Sequence, residues 1–251
     1  GDVGPGRMTE PDRIHAFATA LLVRRDDLAG VRVLVTAGGT REPIDPVRYI
    51  SNRSTGRQGV AVALAAADRG AEVTLIAAHA DADVLADVRA HPRVAVSHAG
   101  TAAELAVEVS ERALSADVVV MAAAVADYRV AEASERKLAK EETGGALTLA
   151  LIETDDILAA LVRDRRPGQT IVGFAAETET DAAALLERAR RKRRRKGVDL
   201  LAVNEVGWQK GFETTENTLT LIGAGDEVVA TVSGSKRVVA EALWDAVLAR
   251  R

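Results

Sequence analysis

Five short apolar runs, rich in β-branched residues, recur along the chain and predict buried strands. They read VRVLVT (31–36), EVTLIA (72–77), DVVVMAA (117–123), TIVGFA (170–175) and VDLLAV (198–203). Runs that are apolar at nearly every position suit strands covered on both faces, as in a parallel sheet between two helical layers. Segments with helical periodicity separate them, near 57–69, 102–114, 156–164 and 181–196. The alternation predicts right-handed βαβ crossovers and a Rossmann-like, doubly wound, mainly parallel α/β sheet.

Residue types typical of helix ends mark the boundaries of these helices. Thr101, followed three residues later by Glu104, predicts a capping box. Gly70 and Gly197 follow two of the helices at positions where left-handed caps belong. The chain closes with SKRVVAEALWDAVLARR (235–251), which predicts an amphipathic helix.

Two strand-like stretches depart from the βαβ alternation. NTLTLI (217–222), a GAGD turn and EVVATV (227–232) predict an added β-hairpin, and ALTLALI (146–152) predicts a further strand. Either could extend or flank the sheet, and one could form a subunit interface. Residues 1–27 contain early prolines and glycines and predict a tail or linker, ahead of one domain over 28–251.

Composition and charge exclude several classes of protein. The 251 residues carry a net charge of −4, so nothing global attracts the chain to nucleic acid or to an anionic membrane. The absence of cysteine excludes disulfides, thiolate nucleophiles and thiolate metal sites. The four histidines lack metal-ligand spacing. No apolar run reaches the ~18 residues of a membrane span, and no signal peptide is visible, so we expect a cytoplasmic protein.

Glycines and polar residues follow the first predicted strand, where ligands bind in open α/β sheets. In TAGGTREPID (36–45), Gly38 and Gly39 would let the backbone approach a ligand closely, or simply form a turn. In SNRSTGRQG (51–59), the next helix starts at Ser54, Thr55 and Gly56, where a hydroxyl is also an ordinary N-cap.

Capping does not explain the polar pair Asn52 and Arg53, which precedes a strongly apolar helix. An Asn amide can orient a carboxylate or stabilise a developing oxyanion, and the positive end of the helix favours negative charge. A phosphate or acyl group is therefore the chemistry that this loop suits.

Two later segments add candidate charges. MAAAVADYR (121–129) ends the third strand, and its Asp127 could accept hydrogen bonds from ribose or base, touch a metal, or cap the next segment. ERKLAKEETGG (135–145) has the composition of a mobile flap or of a solvated surface loop. If it is a flap, Lys137 and Lys140 are candidates for neutralising phosphate charge.

A run of basic residues ends one predicted helix: eight of the nine residues in RARRKRRRK (188–196) are cationic. Alone it suggests nucleic acid or a targeting signal, but cations are also favoured by the dipole at a helix C-terminus. Arg188, Lys192 and Lys196 recur at helical spacing and share one face, which suits a triphosphate. We expect the other arginines of the run to face solvent.

Two alternative functions remain open from the residues alone. An NAD(P)-binding oxidoreductase would share the fold, although no G-x-G-x-x-G follows the first strand. Tyr49 and Tyr128 also lack the Lys four residues on that a short-chain reductase needs, since Arg53 and Glu132 stand there. A nucleic-acid-binding module would explain the basic run, but the rest of the chain is acidic and aromatic content is only 3%.

Several motifs in order resemble one known family. They read TAGGTREPID, RYISNRSTGRQG, AAAVADYR, KLAK, GFAAET, KRRRKGVDLLAVNEV, and GF followed by ENTLTLI. Together they cover about residues 29–250, and they are similar to the phosphopantothenate–cysteine ligases. The tail GRMTEPDRI resembles the end of a flavin-dependent decarboxylase that is fused upstream in many bacterial members.

The resemblance implies a reaction and its partners. The bacterial enzymes use CTP, with Mg²⁺, to activate the carboxylate of 4'-phosphopantothenate as an acyl-cytidylate, and L-cysteine then attacks through its amine. We infer CTP from the fusion-like tail, because other branches of the family use ATP. The resemblance also implies a homodimer with a substrate site completed across the interface, a contact to which the hairpin at 217–232 would contribute.

The resemblance assigns roles to particular residues. Asn52 would lie at the acyl-nucleotide intermediate with Arg53 and Ala124 in the substrate site, and Lys137 would close over the phosphates from the flap. KLAK lacks one lysine of the family's usual K-x-K-K cluster, and Asp155 stands where the family usually has Pro. The expected nucleotide contacts are Gly38, Gly39, Ser54, Thr55, Gly56, Met121, Ala122, Ala123, Asp127, Lys137, Asp155, Asp156, Ile157, Leu158, Phe174, Lys192 and Lys196. No metal ligands are assigned.

Overall fold

A computed structural model of the chain describes residues 25–142, 145–206 and 216–251. The strands in these ranges are β1 (Arg32–Ala37), β2 (Arg41–Pro43), β3 (Tyr49–Ser51), β4 (Glu72–Ala77), β5 (Val94–His98), β6 (Val118–Met121), β7 (Tyr128–Val130), β8 (Leu151–Glu153), β9 (Thr170–Glu177), β10 (Leu200–Glu205), β11 (Glu216–Gly223) and β12 (Val228–Ser235). The α-helices are α1 (Arg57–Asp68), α2 (Ala82–Ala90), α3 (Ala102–Ala113), α4 (Ile157–Asp164), α5 (Ala182–Lys196) and α6 (Lys236–Leu248). None of these helices is long and apolar enough to cross a bilayer.

Eight strands form one sheet in the order β12-β11-β10-β9-β6-β1-β4-β5. The six strands from β10 to β5 are parallel, and β11 and β12 add antiparallel to the β10 side. Counted along the chain, the parallel strands have the order 3-2-1-4-5-6 of a Rossmann sheet, which reverses direction between β1 and β6. The predicted doubly wound, mainly parallel fold is confirmed, and the predicted hairpin extends its edge.

Each face of the sheet is covered by helices because side chains alternate along the strands. Val33 and Val35 of β1 belong to one buried cluster with α1, α2 and α6. Leu34 belongs to the other, with α3, α4 and α5. The fully buried Trp244 fixes α6 on α1, since its indole N–H donates to the Val62 carbonyl at 2.9 Å.

The structure adds elements that the apolar runs did not predict. Strand β5 is an edge strand of intermediate burial, so it lacks the continuous apolar pattern of the others. Pairs of three-residue strands form two small sheets, β2 with β3 and β7 with β8. Only Leu151 and Ile152 of the predicted strand 146–152 fall within a strand, β8. Residues 1–24 of the predicted linker lie outside the described residues.

The predicted helix caps hold at three of four positions. Thr101 and Glu104 form the capping box, and Gly70 and Gly197 have φ of +94° and +69°. The start of α1 is different: its N-cap is Gly56, with φ of +82° and no side-chain cap. Capping by the hydroxyls before α1 is therefore wrong, since Ser54 Oγ accepts only from the Gly56 N–H, at 3.4 Å.

Candidate active site

A cleft of about 660 Å³ opens at the carboxyl ends of the central strands, near the point where the strand order reverses. It is lined by twelve of the residues that the sequence singles out: Asn52, Met121, Ala123, Ala124, Asp127, Asp155, Asp156, Ile157, Leu158, Phe174, Lys192 and Lys196. They come from five separate segments of the chain, which the sheet brings together at the carboxyl ends of its strands.

The floor of the cleft is held by hydrogen bonds between the loops that follow β1 and β6. The Ala124 N–H donates to the Gly38 carbonyl at 2.8 Å, and the Thr40 N–H donates back to the Ala124 carbonyl at 3.2 Å. The hydroxyl of Thr36 accepts from the Ala123 N–H and that of Thr40 from the Ala126 N–H, both at 3.0 Å. Because both threonines are fully buried, these bonds fix the backbone of the loop after β6, residues 122–127, which we call the alanine loop.

The two expected nucleotide-binding glycines support this floor from behind and do not line the cleft. Gly38 has φ of +89°, and a Cβ there would lie 2.6 Å from the His79 carbonyl oxygen. Gly39 pairs its backbone with His79 on one side and bridges to Ala124 on the other. Close backbone approach is therefore the reason for glycine here, between strands rather than towards a ligand.

Asn52 reaches the cleft from the end of β3. Its side-chain Nδ2 donates to the Val125 carbonyl at 3.1 Å, which anchors the amide to the alanine loop. Ser51 next to it is bound to the Thr40 carbonyl at 2.7 Å. The exposed amide is thus a polar group held in place at the mouth of the cleft, as a group that orients an acyl oxygen requires.

Apolar side chains from three elements line the opposite end. Phe174 of β9, which is half-buried, lines this end together with Leu158 of α4 and Leu201 of β10. Gly173 lets α4 pack closely on β9, because a Cβ there would lie 2.8 Å from Leu158 Cδ2. An apolar slot lined in this way suits a nucleobase.

Cations from the end of α5 enter the same end of the cleft. Lys196 forms an ion pair with Asp156, and Lys192 Nζ lies 3.2 Å from Glu177 Oε1. Arg195 also lines the cleft. These side chains carry the positive charge that nucleotide phosphates or a base carbonyl would meet.

The remaining arginines of the basic run do not simply face solvent, contrary to expectation. Arg193 and Arg194 form ion pairs with Asp226 in the turn between β11 and β12, and Arg190 donates to the carbonyl of the same residue at 3.0 Å. Arg188 pairs with Glu177 at 3.3 Å. Much of the run therefore binds the hairpin and β9 to α5.

Asp156 rather than Asp155 caps α4, accepting from the Ala159 N–H at 3.0 Å. Burial raises the pKa of Asp156, but the hydrogen bond from Lys196 and the bond from Ala159 outweigh it, with help from the charge of Arg195. The net pKa lies below its usual value. The carboxylate is consequently ionised at neutral pH and competes with any anionic ligand for Lys196.

The other predicted site residues lie outside the cleft lining. Ser54, Thr55 and Gly56 lie just before α1, with Arg53 preceding them, and Ala122 follows β6 within the loop floor. Lys137 is exposed on the segment between β7 and β8. In this conformation the expected flap lysine is not a lining residue.

The cleft also includes residues that the sequence did not single out. They are Val125, Tyr128, Glu153, Thr154, Ala175, Ala176, Arg195 and Leu201. All except Leu201 are within three residues of a predicted site residue, so extending each motif would have found them. Thr154 has a clear role: its hydroxyl donates to the Ala126 carbonyl at 2.6 Å and holds β8 against the alanine loop.

The chain is similar in sequence to proteins of one known family. Residues 28–250 match the family described as the DNA/pantothenate metabolism flavoprotein C-terminal domain. The chain belongs to this family. The coenzyme A biosynthesis bifunctional protein CoaBC of Mycobacterium tuberculosis is 48% identical over 98% of this chain and 60% of its own length. The chain therefore spans about three-fifths of such a relative.

Solved structures agree with the fold. The crystal structure of the C-terminal domain of a CoaBC protein gives a TM-score of 0.70 at 28% identity, covering 90% of this chain and 97% of that one. A Cab2 variant in complex with phosphopantothenate-cysteine gives 0.71 at 18% identity, covering 97% and 94%, and shares the fold.

We predict that Lys196→Met raises the pKa of Asp156, because burial remains while the largest opposing contact is lost. A carboxylate with a depressed pKa stabilises the fold above its unfolded pKa, and that stability is lost as pH falls through the folded pKa. The variant should therefore lose less stability on acidification. NMR titration of the carboxyl carbon measures the pKa, with Lys192→Met, whose partner is Glu177, as the matched control. An unchanged pKa in Lys196→Met would contradict the pairing.

Proposed function

We propose that this chain joins 4'-phosphopantothenate to L-cysteine after activating the pantothenate carboxylate with CTP. The observation that carries the proposal is the convergence in one cleft of Asn52, Asp127, Phe174, Lys192 and Lys196, residues to which the ligase resemblance assigns roles. Membership of a family whose relatives include coenzyme A biosynthesis proteins supports it.

The reaction would proceed in two displacements. A carboxylate oxygen of phosphopantothenate attacks the α-phosphorus of CTP, and pyrophosphate leaves. The amine of cysteine then attacks the acyl carbon, CMP leaves, and the amine loses a proton to solvent. The first step brings an anionic carboxylate to an anionic phosphate and the second needs the amine aligned on the acyl carbon, so neutralisation of charge and alignment account for most of the catalysis.

Different ends of the cleft would serve different parts of this chemistry. The slot at Phe174 would hold the base, with Asp127 on the ribose side and the cations of α5 close by. Asn52, fixed by Val125, would orient the acyl oxygen of the mixed anhydride. The open N-terminus of α1, capped only by Gly56, would offer backbone N–H groups to the phosphates.

The charge balance of the lining supports a role for Mg²⁺. Four carboxylates line the cleft (Asp127, Glu153, Asp155 and Asp156), against the three cations Lys192, Arg195 and Lys196. Adding a triphosphate to such a surface requires additional positive charge. No cluster of three or more metal-ligating side chains occurs among the described residues, so the ion would be bound mainly by phosphate oxygens.

We propose that the chain dimerises through its small sheets. Six of the ten most exposed large apolar side chains among the described residues lie on or beside β2–β3 and β7–β8: Val47, Tyr49, Tyr128, Leu147, Leu151 and Ile152. The two small sheets also contact each other. The hairpin β11–β12, where the sequence placed the interface, presents only Val228 from this set. An apolar surface next to the cleft suits a second copy that completes the substrate site.

The purified chain, given 4'-phosphopantothenate, cysteine, Mg²⁺ and CTP, should release pyrophosphate and CMP in equal amounts with the amide product. Mass spectrometry of the product and a coupled pyrophosphate assay measure this, with ATP in a parallel reaction. Release with ATP alone would retain the ligase and reject CTP. If neither nucleotide supports turnover, even with the upstream half attached, the proposed ligase is rejected.

Asn52→Asp should slow amide formation by about a hundredfold or more, because a carboxylate would stand beside the anionic intermediate. The first displacement should survive, so pyrophosphate should still be released in a single turnover without cysteine. Rapid-quench analysis separates the steps. Asn52→Ala, which removes the amide without adding charge, is the control, and equal turnover of Asn52→Asp and the unmodified chain would remove Asn52 from the site.

Ile152→Lys should convert a dimer into monomers, because a charge on β8 would be buried at the proposed interface. Sedimentation velocity measures the mass, and Val228→Lys on the hairpin is the comparison. If Val228→Lys dissociates the dimer and Ile152→Lys does not, the interface lies at the hairpin and not at the small sheets.

A further inference from the structure

A buried carboxylate lies outside the cleft and connects two distant parts of the chain. The side chain of Asp45 is fully buried in the turn between β2 and β3. It accepts hydrogen bonds from the backbone N–H groups of Val47 and Arg48, both at 2.8 Å, and from the Arg48 guanidinium at 3.0 and 2.5 Å. A further donor is the N–H of Leu138, at 3.1 Å, which is 93 residues away.

The same pair of side chains holds both backbone groups of Leu138. While Asp45 takes its N–H, Arg48 Nη2 donates to its carbonyl at 2.6 Å. A third bond joins the two segments, because the Ser134 N–H donates to the Ile44 carbonyl at 2.9 Å. Residues 134–138 are thus attached to the β2–β3 turn at two points.

This attachment changes what the expected flap can do. Lys137 lies between the two anchors, directly before the clamped Leu138, so its backbone is fixed while the Asp45 bonds persist. We propose that Asp45 is a positioning residue, which sets where the Lys137 side chain starts its approach to the cleft. The inference rests on the proposed function, in which Lys137 neutralises phosphate charge.

The chemistry of the clamp requires a carboxylate. Every hydrogen-bond partner of Asp45 in the described structure is a donor, and the two carboxylate oxygens share five such bonds. Burial raises the pKa of Asp45, but the bonds from Arg48 and from the backbone outweigh it and hold the pKa far below its usual range. Asn in its place would turn an NH₂ group towards other donors.

The bonds from Val47 and Arg48 to Asp45 only close the local turn. If Asp45 did nothing else, the Leu138 N–H would not be bonded to it. The long-range bond distinguishes the two roles. Hydrogen exchange at the Leu138 amide reports on it directly and needs no variant. We expect exchange at least about tenfold slower than in an unstructured peptide. An unprotected Leu138 amide in the unmodified chain would overturn the proposal.

The decisive comparison uses Asp45→Asn, Lys137→Gln and the double variant. Asp45→Asn should lose the protection at Leu138 and lower kcat by about a hundredfold, the scale of a misplaced group, with nucleotide KM within about twofold. The double variant should turn over no more slowly than Lys137→Gln alone, because Asp45 acts through that lysine. Asp117→Asn is the control. It removes a carboxylate that binds Arg32 at the amino ends of the central strands β1 and β6, away from the cleft at their carboxyl ends, and should leave kcat unchanged.

If the double variant lowers kcat by the product of the two single reductions, Asp45 acts independently of Lys137, and the proposal is overturned. Retained protection at Leu138 in Asp45→Asn would overturn it too, because the amide would not depend on the carboxylate. The exchange measurement is independent of catalysis. If the chain shows no ligase activity, or if Lys137→Gln turns over normally, the proposed function or its lysine assignment fails, while exchange still decides whether Asp45 anchors the segment.

Discussion

The cleft depends on the hydrogen bonds that join the loops following β1 and β6. In an open parallel sheet these loops diverge at the point where the strand order reverses, and the divergence creates a crevice. Here buried Thr36 and Thr40 hold the alanine loop by its N–H groups, and Gly38 accepts from Ala124. The crevice keeps its opening while its floor is held rigid, so the groups attached to that floor, Asn52 among them, are held in place by the protein itself.

A hairpin between the first strand and the first helix distinguishes this fold from the usual dinucleotide-binding fold. In the usual fingerprint three glycines follow one another within a single turn and serve the turn, the phosphate and the contact between helix and strand. Here β2 and β3 stand between Gly38 and Gly56, and the third role falls to Gly59, where a Cβ would lie 2.7 Å from Ala37 Cβ. The insertion takes the place of the pyrophosphate turn and carries Asn52 at its end. A nucleotide fold thereby gains a group suited to acyl chemistry.

The sequence predicted those features that local pattern determines and missed those set by distant contacts. Central strands such as β4 were predicted because burial on both faces makes them continuously apolar, whereas the edge strand β5 and the three-residue strands carry no such pattern. Strand ends located Asn52 and Asp127 correctly beside the cleft. The arginines of α5 were misjudged because their partner, Asp226, belongs to a hairpin turn some thirty residues later. The anchoring of residues 134–138 escaped prediction for the same reason, since Asp45 holds them from far along the chain.

Both lysines of the cleft are paired with carboxylates, and this constrains how a nucleotide could bind. Lys196 is engaged by Asp156, while Lys192 and Arg188 share Glu177, which is almost fully buried. A phosphate or a base carbonyl would therefore exchange one acceptor for another rather than meet a bare cation, so the ion pairs would contribute more to selectivity than to affinity. Asp156 is the easier of the two carboxylates to displace, because its side chain is about half exposed and can be solvated, whereas freeing Glu177 would leave a buried charge. Of the two lysines, Lys196 is thus the more available to a ligand, and Lys192 the one that stays with β9.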